Sequence, residues 1–440
     1  MTDAPATVAK AGHGPMRAKR RVLAAALMGT AVEFYDFFIY GTAAALVFGP
    51  LFFPASSPAA QTLLAFASFG LAFFARPVGA IAFGHFGDRV GRKSTLVVSL
   101  LMMGLSTFAI ALLPTYATAG WIAPALLCLM RFGQGFGLGG EWGGAALLTA
   151  EHAPPGWEGR FVSIMQLGSP IGFFAANGMF LLLGLLLDDA QFMAWGWRIP
   201  FLGSAVLVML GLWIRLKIEE TPQFQAALDK EEVVRIPLFE IMGRHGLQVL
   251  AGAAGVVSTF AVFYLATSFA LALAVDQIGF ARADVLMLQM IANCFYVVGI
   301  LLAGILADRI GSRFVLAGGA CVTIAVGTVF EAGLRSGSLT LAGVTLCAAM
   351  LVLGFNNGPL GSWLATLFPV RSRYTGVSLA FNLGGILGGA AVPFIAQLLV
   401  VQGSSQTTGV LLLTAGLATL AGTLFGRRRA AIDMQQGQTA

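Results

Sequence analysis

Long apolar runs, separated by short polar or basic connections, set the pattern of this chain. A membrane-spanning helix needs about 20 mostly apolar residues. Twelve segments meet that requirement, at about 21–48, 60–85, 95–113, 120–149, 161–187, 198–216, 245–272, 284–306, 314–332, 339–366, 374–401 and 406–426. They are continuously apolar, and longer than the roughly 10-residue alternating strands of a membrane barrel. The pattern therefore predicts an all-α membrane protein with twelve transmembrane helices. The longest polar connection, Lys217 to Arg244, contains Glu219, Glu220, Asp229, Lys230, Glu231, Glu232 and Arg235, and it divides the helices six and six. The organisation expected is a tail over 1–20, a six-helix bundle over 21–216, a partly helical linker over 217–244, a second bundle over 245–426 and a tail over 427–440.

Composition agrees. Hydrophobic residues make up 58% of the 440 and charged residues only 10%, against roughly 25% charged in soluble proteins. Most of the surface is thus expected to meet lipid. The 56 glycines suit helices that approach closely where lipid gives no hydrophobic drive. A net charge of +6 raises the question of nucleic acid, but the basic residues lie in short clusters between apolar runs, a topology pattern that excludes it. Most of the 26 Lys and Arg fall on one side when both termini are placed in the cytoplasm, which fixes the expected orientation. The basic stretch Arg17–Arg21 before the first run resembles a signal peptide, yet that run continues well past the roughly 7–15 residues of a signal core and contains Glu33 and Asp36. Cys128, Cys294, Cys321 and Cys347 all fall inside apolar runs without metal-ligand spacing, as small core residues do.

An internal repeat supports the division. Gly84-His85-Phe86-Gly87-Asp88-Arg89-Val90-Gly91-Arg92-Lys93 follows the second span, and Gly304-Ile305-Leu306-Ala307-Asp308-Arg309-Ile310-Gly311-Ser312-Arg313 follows the eighth. Both read G-x-x-x-D-R-x-G-x-[KR]. Parallel six-helix repeats are one way to build a transporter with its site at the midplane.

These two segments resemble the signature loop of the major facilitator superfamily, and the resemblance covers nearly the whole chain. Glu33-Phe34-Tyr35-Asp36-Phe37-Phe38, Arg76-Pro77, the run Arg131-Phe132-Gly133-Gln134 to Glu141-Trp142, Trp195 to Phe201, and Arg373-Tyr374-Thr375-Gly376 are similar to its metabolite:proton symporter branch, whose members carry shikimate, 2-oxoglutarate, citrate, or proline and betaine. The resemblance implies two six-helix bundles related by a pseudo-two-fold axis, a bacterial inner-membrane location, a monomer, no cofactor beyond the proton gradient, and proton-coupled uptake of a small organic solute. It also implies a cytoplasmic lock. Asp88, Arg89 and Arg92 with Glu141, Glu151 and Arg160 would form it in the first half, and Asp308, Arg309, Arg313 and Arg373 in the second. One departure stands out. The branch usually has Glu three residues before the Pro that follows the tenth helix, and here Thr366 precedes Pro369. The second-half lock is therefore expected to be the weaker.

Charges within the membrane cost about 2.5–3.5 kcal/mol each on insertion scales, and they usually pair or face a cavity. Glu33, Asp36, Arg76 and Arg131 are of this kind. Asp36 lies 15 residues beyond Arg21 and Arg131 lies 11 beyond Gly120, roughly 22 and 16 Å along a helix, both near the middle of the bilayer. The expectation is an Asp36–Arg131 pair in which protonating Asp36 releases Arg131 for a substrate carboxylate. Glu33 is a second candidate proton carrier, and Arg76 either binds substrate or counters Glu33. Gln134, Tyr264, Asn293, Tyr296 and Asn357 are the polar residues within apolar spans expected to touch substrate, whereas the Phe-rich stretches are read as packing. An anionic substrate such as shikimate or a di- or tricarboxylate is favoured. A zwitterion such as proline or betaine, or a proton-driven export direction, is the alternative.

No enzyme is indicated. The four histidines lie in the tail or at helix ends without metal or triad context, so no catalytic or metal residue is assigned. The run Gly133-Gln134-Gly135-Phe136-Gly137 lacks a preceding strand and is read as close helix packing, not as a dinucleotide fingerprint.

Overall fold

The computed structural model describes residues 16–54, 57–90, 92–139, 141–151, 153–216, 241, 243, 245–369, 373–403 and 408–426; side chains at 16–22, 25, 84–96, 148, 151 and 214–216 lie outside that description. Among the described residues every regular element is helical. Among the described residues eleven helices are long and apolar enough to cross a membrane, and a twelfth, helical over Arg92–Ala111, contributes the apolar stretch Val97–Ala111. In chain order they are α1 Ala26–Phe52, α2 Pro58–Phe83, α3 Val97–Ala111, α4 Ile122–Leu147, α5 Glu158–Leu186, α6 Gly196–Trp213, α7 Gly246–Ile278, α8 Arg282–Ile310, α9 Ser312–Leu334, α10 Leu339–Leu367, α11 Arg373–Val401 and α12 Thr408–Phe425. Each coincides with one expected span. Helices α7 and α8 run past the expected limits because their ends carry Asp276, Arg282, Asp308 and Arg309, which hydrophobicity alone trims away. Most of the expected linker and both tails lie outside the described residues.

The repeat is visible in the backbone. A π-helical turn interrupts α1 at Ala44–Phe48 and α7 at Leu265–Phe269, close to the offset of the two signature segments. Such turns bend a helix and cluster at functional sites. The close crossings repeat too. A Cβ at Gly79 of α2 would run into the Phe136 backbone of α4, and one at Gly299 of α8 would run into the Leu351 carbonyl of α10. Gly135 and Gly139 likewise admit the α2 backbone at Ala72 and Arg76. The glycine run of α4 is therefore a packing surface, as expected.

Two seams join the halves: α5 lies along α8, and α2 lies along α11. One end of the bundle carries the signature segments and is called the loop end below. At that end Trp142 of α4 stacks on Phe381 of α11, with ring centroids 3.6 Å apart and planes inclined by 6°. At the opposite end Gln397 donates to the Ala59 carbonyl at 3.1 Å, and Arg282 pairs with Asp189 at 2.9 Å. The halves thus touch at both ends.

Candidate functional site

Helix α1 places Glu33 and Asp36 one turn apart, and both are buried. Asp36 is fully enclosed, and neither carboxyl oxygen has a hydrogen-bond partner. The Thr107 hydroxyl of α3 faces this carboxyl, but it donates to the Met103 carbonyl at 2.9 Å and accepts from Gln134 Nε2 at 2.7 Å. Arg131 of α4 is also fully buried. Its Nε donates to the Phe69 carbonyl at 3.2 Å and its Nη1 to Gln134 Oε1 at 2.5 Å, while Nη2 has no partner. The guanidinium lies over the Phe37, Tyr40 and Phe69 rings at 4.3, 4.1 and 4.6 Å.

The expected Asp36–Arg131 ion pair is therefore corrected. The two groups share a neighbour, Gln134, whose Nε2 also donates to the Asp36 backbone carbonyl at 3.1 Å. The amide links the guanidinium to the Asp36 backbone, and among the described residues no ion contact joins Arg131 to the Asp36 carboxyl. Gln134 itself, expected to touch substrate, is wholly buried in this network. Arg76 lies over Phe37 and Phe73 at 4.5 and 5.2 Å, with Glu33 the carboxylate whose charge reaches it.

Between the halves lies a central cavity of about 20 Å³, room for one water. Its wall includes Phe34, Phe38, Tyr264, Tyr296, Asn357 and Phe381. Three of the expected substrate residues, Tyr264, Tyr296 and Asn357, therefore meet there. Phe34 and Phe38 were expected only to pack, and the structure places them in the wall, because one face of α1 turns toward α7. No charged side chain lines the cavity. Phe37, Phe73 and Tyr264 pack as one ring cluster between it and the two arginines.

Polar chains close the cavity toward each end. On the loop side Trp142 Nε1 donates to Gln166 Oε1 at 3.2 Å, Gln166 Nε2 donates to Asn357 Oδ1 at 2.6 Å, and Asn357 Nδ2 donates to the Tyr296 hydroxyl. On the other side Thr42 donates to Asn177 Oδ1 at 2.6 Å, and Asn177 Nδ2 donates to Gln289 Oε1 at 3.1 Å. Asn293 sits in the α5–α8 seam, donating to the Pro170 carbonyl at 2.9 Å, and is absent from the cavity wall.

At the loop end the described part of the lock is the second-half part. Asp308 Oδ1 accepts the Gly159 amide at 2.7 Å, Oδ2 accepts the Arg160 amide at 3.4 Å, and Arg160 Nε lies 3.1 Å from Oδ2. That side-chain approach is an ion contact and lacks hydrogen-bond geometry. Arg160, expected to serve the first-half loop, engages Asp308 of the second; the first-half loop side chains lie outside the described residues. Asp308 thus caps the first turn of α5 from the other half, and the absence of an acid at Thr366 leaves that latch intact. Among the described residues Thr366 bonds locally, to the Trp363 carbonyl. Arg313 donates to the Thr423 and Leu424 carbonyls at the end of α12, Arg309 is exposed and Arg373 half-buried. Glu141 is half-buried on α4. The side chains of Asp88, Arg89, Arg92 and Glu151 lie outside the described residues.

The family model for sugar and other transporters matches residues 22–247. The chain is 46% identical over 416 residues to the inner membrane metabolite transport protein YhjE of Escherichia coli K12, covering 93% of this chain and 94% of that one. It belongs to the major facilitator superfamily, in the metabolite:proton symporter branch. The transporter is also 37% identical to the shikimate transporter of E. coli K12, over 87% of this chain and 88% of that one, and 32% identical to a proline/betaine transporter of Salmonella typhimurium, over 87% and 78%. Its fold matches a solved structure of the proton:xylose symporter XylE with a TM-score of 0.72, at 17% identity, over 94% of this chain and 96% of that one. This is a superfamily of multi-pass transporters and not of enzymes.

Some residues of the transporter's site gave no signal beforehand. Thr107 and Ser169 are hydroxyl residues in apolar helices, indistinguishable by pattern from those that bond their own backbone. Gln166 and Asn177 stand out as amides in apolar runs, and that signal is a usable one. The segment Trp195–Phe201 is structural: Trp197 is enclosed by Phe48, Phe52 and Phe201, and Arg198 donates to the Ala111 and Leu113 carbonyls that end α3.

Proposed function

We propose that the protein takes up a small organic metabolite together with protons by alternating access, with both termini and the loop end in the cytoplasm. The observation that carries this reading is Asp36, a fully buried acid without hydrogen-bond or ion partner among the described residues, linked through Gln134 to a buried guanidinium with one unbonded arm. A carboxylate left dry and unpaired is costly, so oxygens placed this way fit the neutral acid. The free Nη2 of Arg131 is then the group able to take a substrate carboxylate, its planar fork suiting that shape. The central cavity is too small for a metabolite, so binding requires the halves to part and the Phe37–Tyr264 cluster to yield.

A carboxylic acid of the size of shikimate is the first substrate class. A zwitterion that also carries a quaternary or secondary ammonium is the second, favoured by the aromatic cavity wall, because ring faces attract such cations.

The test is uptake of labelled shikimate, proline and glycine betaine into proteoliposomes under an imposed pH gradient. Wild type should concentrate at least one of them. Asp36→Asn mimics the protonated acid; it should bind and exchange that solute yet fail to concentrate it. Accumulation by Asp36→Asn equal to wild type would remove Asp36 from the mechanism and leave Glu33 as the next candidate.

A further inference from the structure

The contact between Asp36 and Arg131 is indirect, and its components are named side chains. The Asp36 carboxyl faces the Thr107 hydroxyl; that hydroxyl accepts from Gln134 Nε2, and the same amide's Oε1 accepts from Arg131 Nη1. Gln134 thus ties the guanidinium to the Asp36 backbone carbonyl and to the hydroxyl that faces its carboxyl. The amide and the hydroxyl are both fully buried, so water does not substitute for either.

We infer that Gln134 and Thr107 are positioning residues that exchange hydrogen bonds when Asp36 changes protonation, holding Arg131 away from the neutral acid and letting it approach the ionised one. The inference rests on the proton role proposed for Asp36. With the acid neutral, Thr107 is committed to the Met103 carbonyl and Gln134 holds one arm of Arg131, leaving the other arm for substrate. With the acid ionised, the carboxylate needs donors. The Thr107 hydroxyl can rotate from Met103 to the carboxylate, and the guanidinium can leave the Gln134 oxygen for the stronger charged acceptor. The amide thus makes the free arm of Arg131 depend on the proton.

The other titratable or charged groups around this cluster, among the described residues, are Glu33, Tyr35 and Tyr40 on α1, Arg76 on α2, Cys128 on α4 and Tyr264 on α7. None of them provides a hydrogen-bond donor to the Asp36 carboxyl. Thr107 is thus the neighbour whose loss removes a potential donor, and Gln134 the neighbour whose loss frees Arg131.

These two roles predict opposite effects from two substitutions of similar volume. Gln134→Met removes the competing acceptor and favours the ionised pair, so Asp36 should lose its proton at lower pH than in wild type. Thr107→Val removes the donor available to the carboxylate, so Asp36 should keep its proton to higher pH. Each shift should be about one pH unit, tenfold in proton concentration, the order expected of one hydrogen bond to a charged group.

The measurement is infrared difference spectroscopy of the full-length protein in liposomes, following the carboxylic C=O stretch with pH and no solute added. The Asp36 band is assigned by its loss in Asp36→Asn. Opposite shifts, with Thr107→Ser returning the wild-type midpoint, support the inference. Unmoved midpoints, or shifts in one direction, overturn it and leave the proton role of Asp36 standing. Absence of any titrating band that depends on Asp36 overturns both. Should Gln134→Met not fold, Thr107→Val against Thr107→Ser decides alone, an unshifted valine variant being fatal.

Discussion

Removing the Asp308 carboxylate should open the loop end. Three contacts cross from it to the first turn of α5: the Gly159 amide at 2.7 Å, the Arg160 amide at 3.4 Å and the Arg160 side chain at 3.1 Å. The first is a well-formed bond to a charged acceptor, a class worth about 1.5–3 kcal/mol. The second is long and adds little. The ion contact involves a partly exposed Arg160, so solvent screening holds it below about 1 kcal/mol. A carboxylate at a helix N-terminus gains a further ~0.3–1 kcal/mol. Opening also lets water reach these groups, which returns part of the sum. A net loss of about 2 kcal/mol follows for Asp308→Ala, or a roughly 30-fold rise in the open population. Asp308→Asn keeps one acceptor oxygen and should give a smaller rise. The assay is alkylation of a cysteine at Ser163, on a background where the four native cysteines are replaced. Ser163 is buried and lies against Gly304 in the α5–α8 seam, so a water-soluble maleimide reaches it only when that seam parts. An alkylation rate in Asp308→Ala equal to that of the parent would refute the latch.

Two further substitutions test the ends of the structure. Phe381→Ala removes the stack on Trp142, and an aromatic pair contributes about 0.5–1.5 kcal/mol beyond its buried area; alkylation at the same Ser163 position should rise about fivefold, and an unchanged rate would exclude the stack as a gate. Arg198→Ala leaves the Ala111 and Leu113 carbonyls without their donor, at about 1–3 kcal/mol of stability. It should lower the unfolding temperature while solute affinity is retained; lost binding with an unchanged unfolding temperature would instead place the Trp195–Phe201 segment in the site.

The helices were legible because lipid imposes one rule everywhere. A span must be apolar for its whole length and satisfy its own backbone. The same rule made Glu33, Asp36, Arg76 and Arg131 conspicuous, since charge has no cheap place there. What the pattern could not supply was rotation about each helix axis. Asp36 and Arg131 lie at matching depths, which is why a direct pair was expected. Whether two side chains at one depth meet depends on a third, and Gln134 ties Arg131 to the Asp36 backbone. Rotation likewise decides that Phe38 faces the cavity while Phe37 covers an arginine. The Asp308 latch was missed for a different reason. Its partners are backbone amides of Gly159 and Arg160, and amides carry no residue identity to read. The missing acid at Thr366 was visible, but its absence says nothing about a contact made with another helix.

The opposite ends of the bundle differ in how firmly they hold. The loop end has a buried carboxylate on a helix terminus and a face-to-face aromatic stack. Among the described residues the other end has the Arg282–Asp189 pair, in which Asp189 is largely exposed, a Thr62–Asp276 hydrogen bond at 3.3 Å, an amide bond from Gln397 and the buried Asn177–Gln289 bond. A cavity of about 410 Å³ lies there beside Asp276 and Arg282. Exposed ion pairs are each worth under about 1 kcal/mol and neutral hydrogen bonds about 0.5–1.5 kcal/mol, so among the described contacts the end opposite the signature loops is the more weakly held. In the proposed uptake direction a substrate meets the weaker closure first. The firmer latch at Asp308 then holds until contacts made inside the cavity outweigh it. Such an order requires the two closures to differ by only a few kcal/mol, since a larger gap would leave one state unpopulated and stop the cycle. The contacts at both ends are of that size.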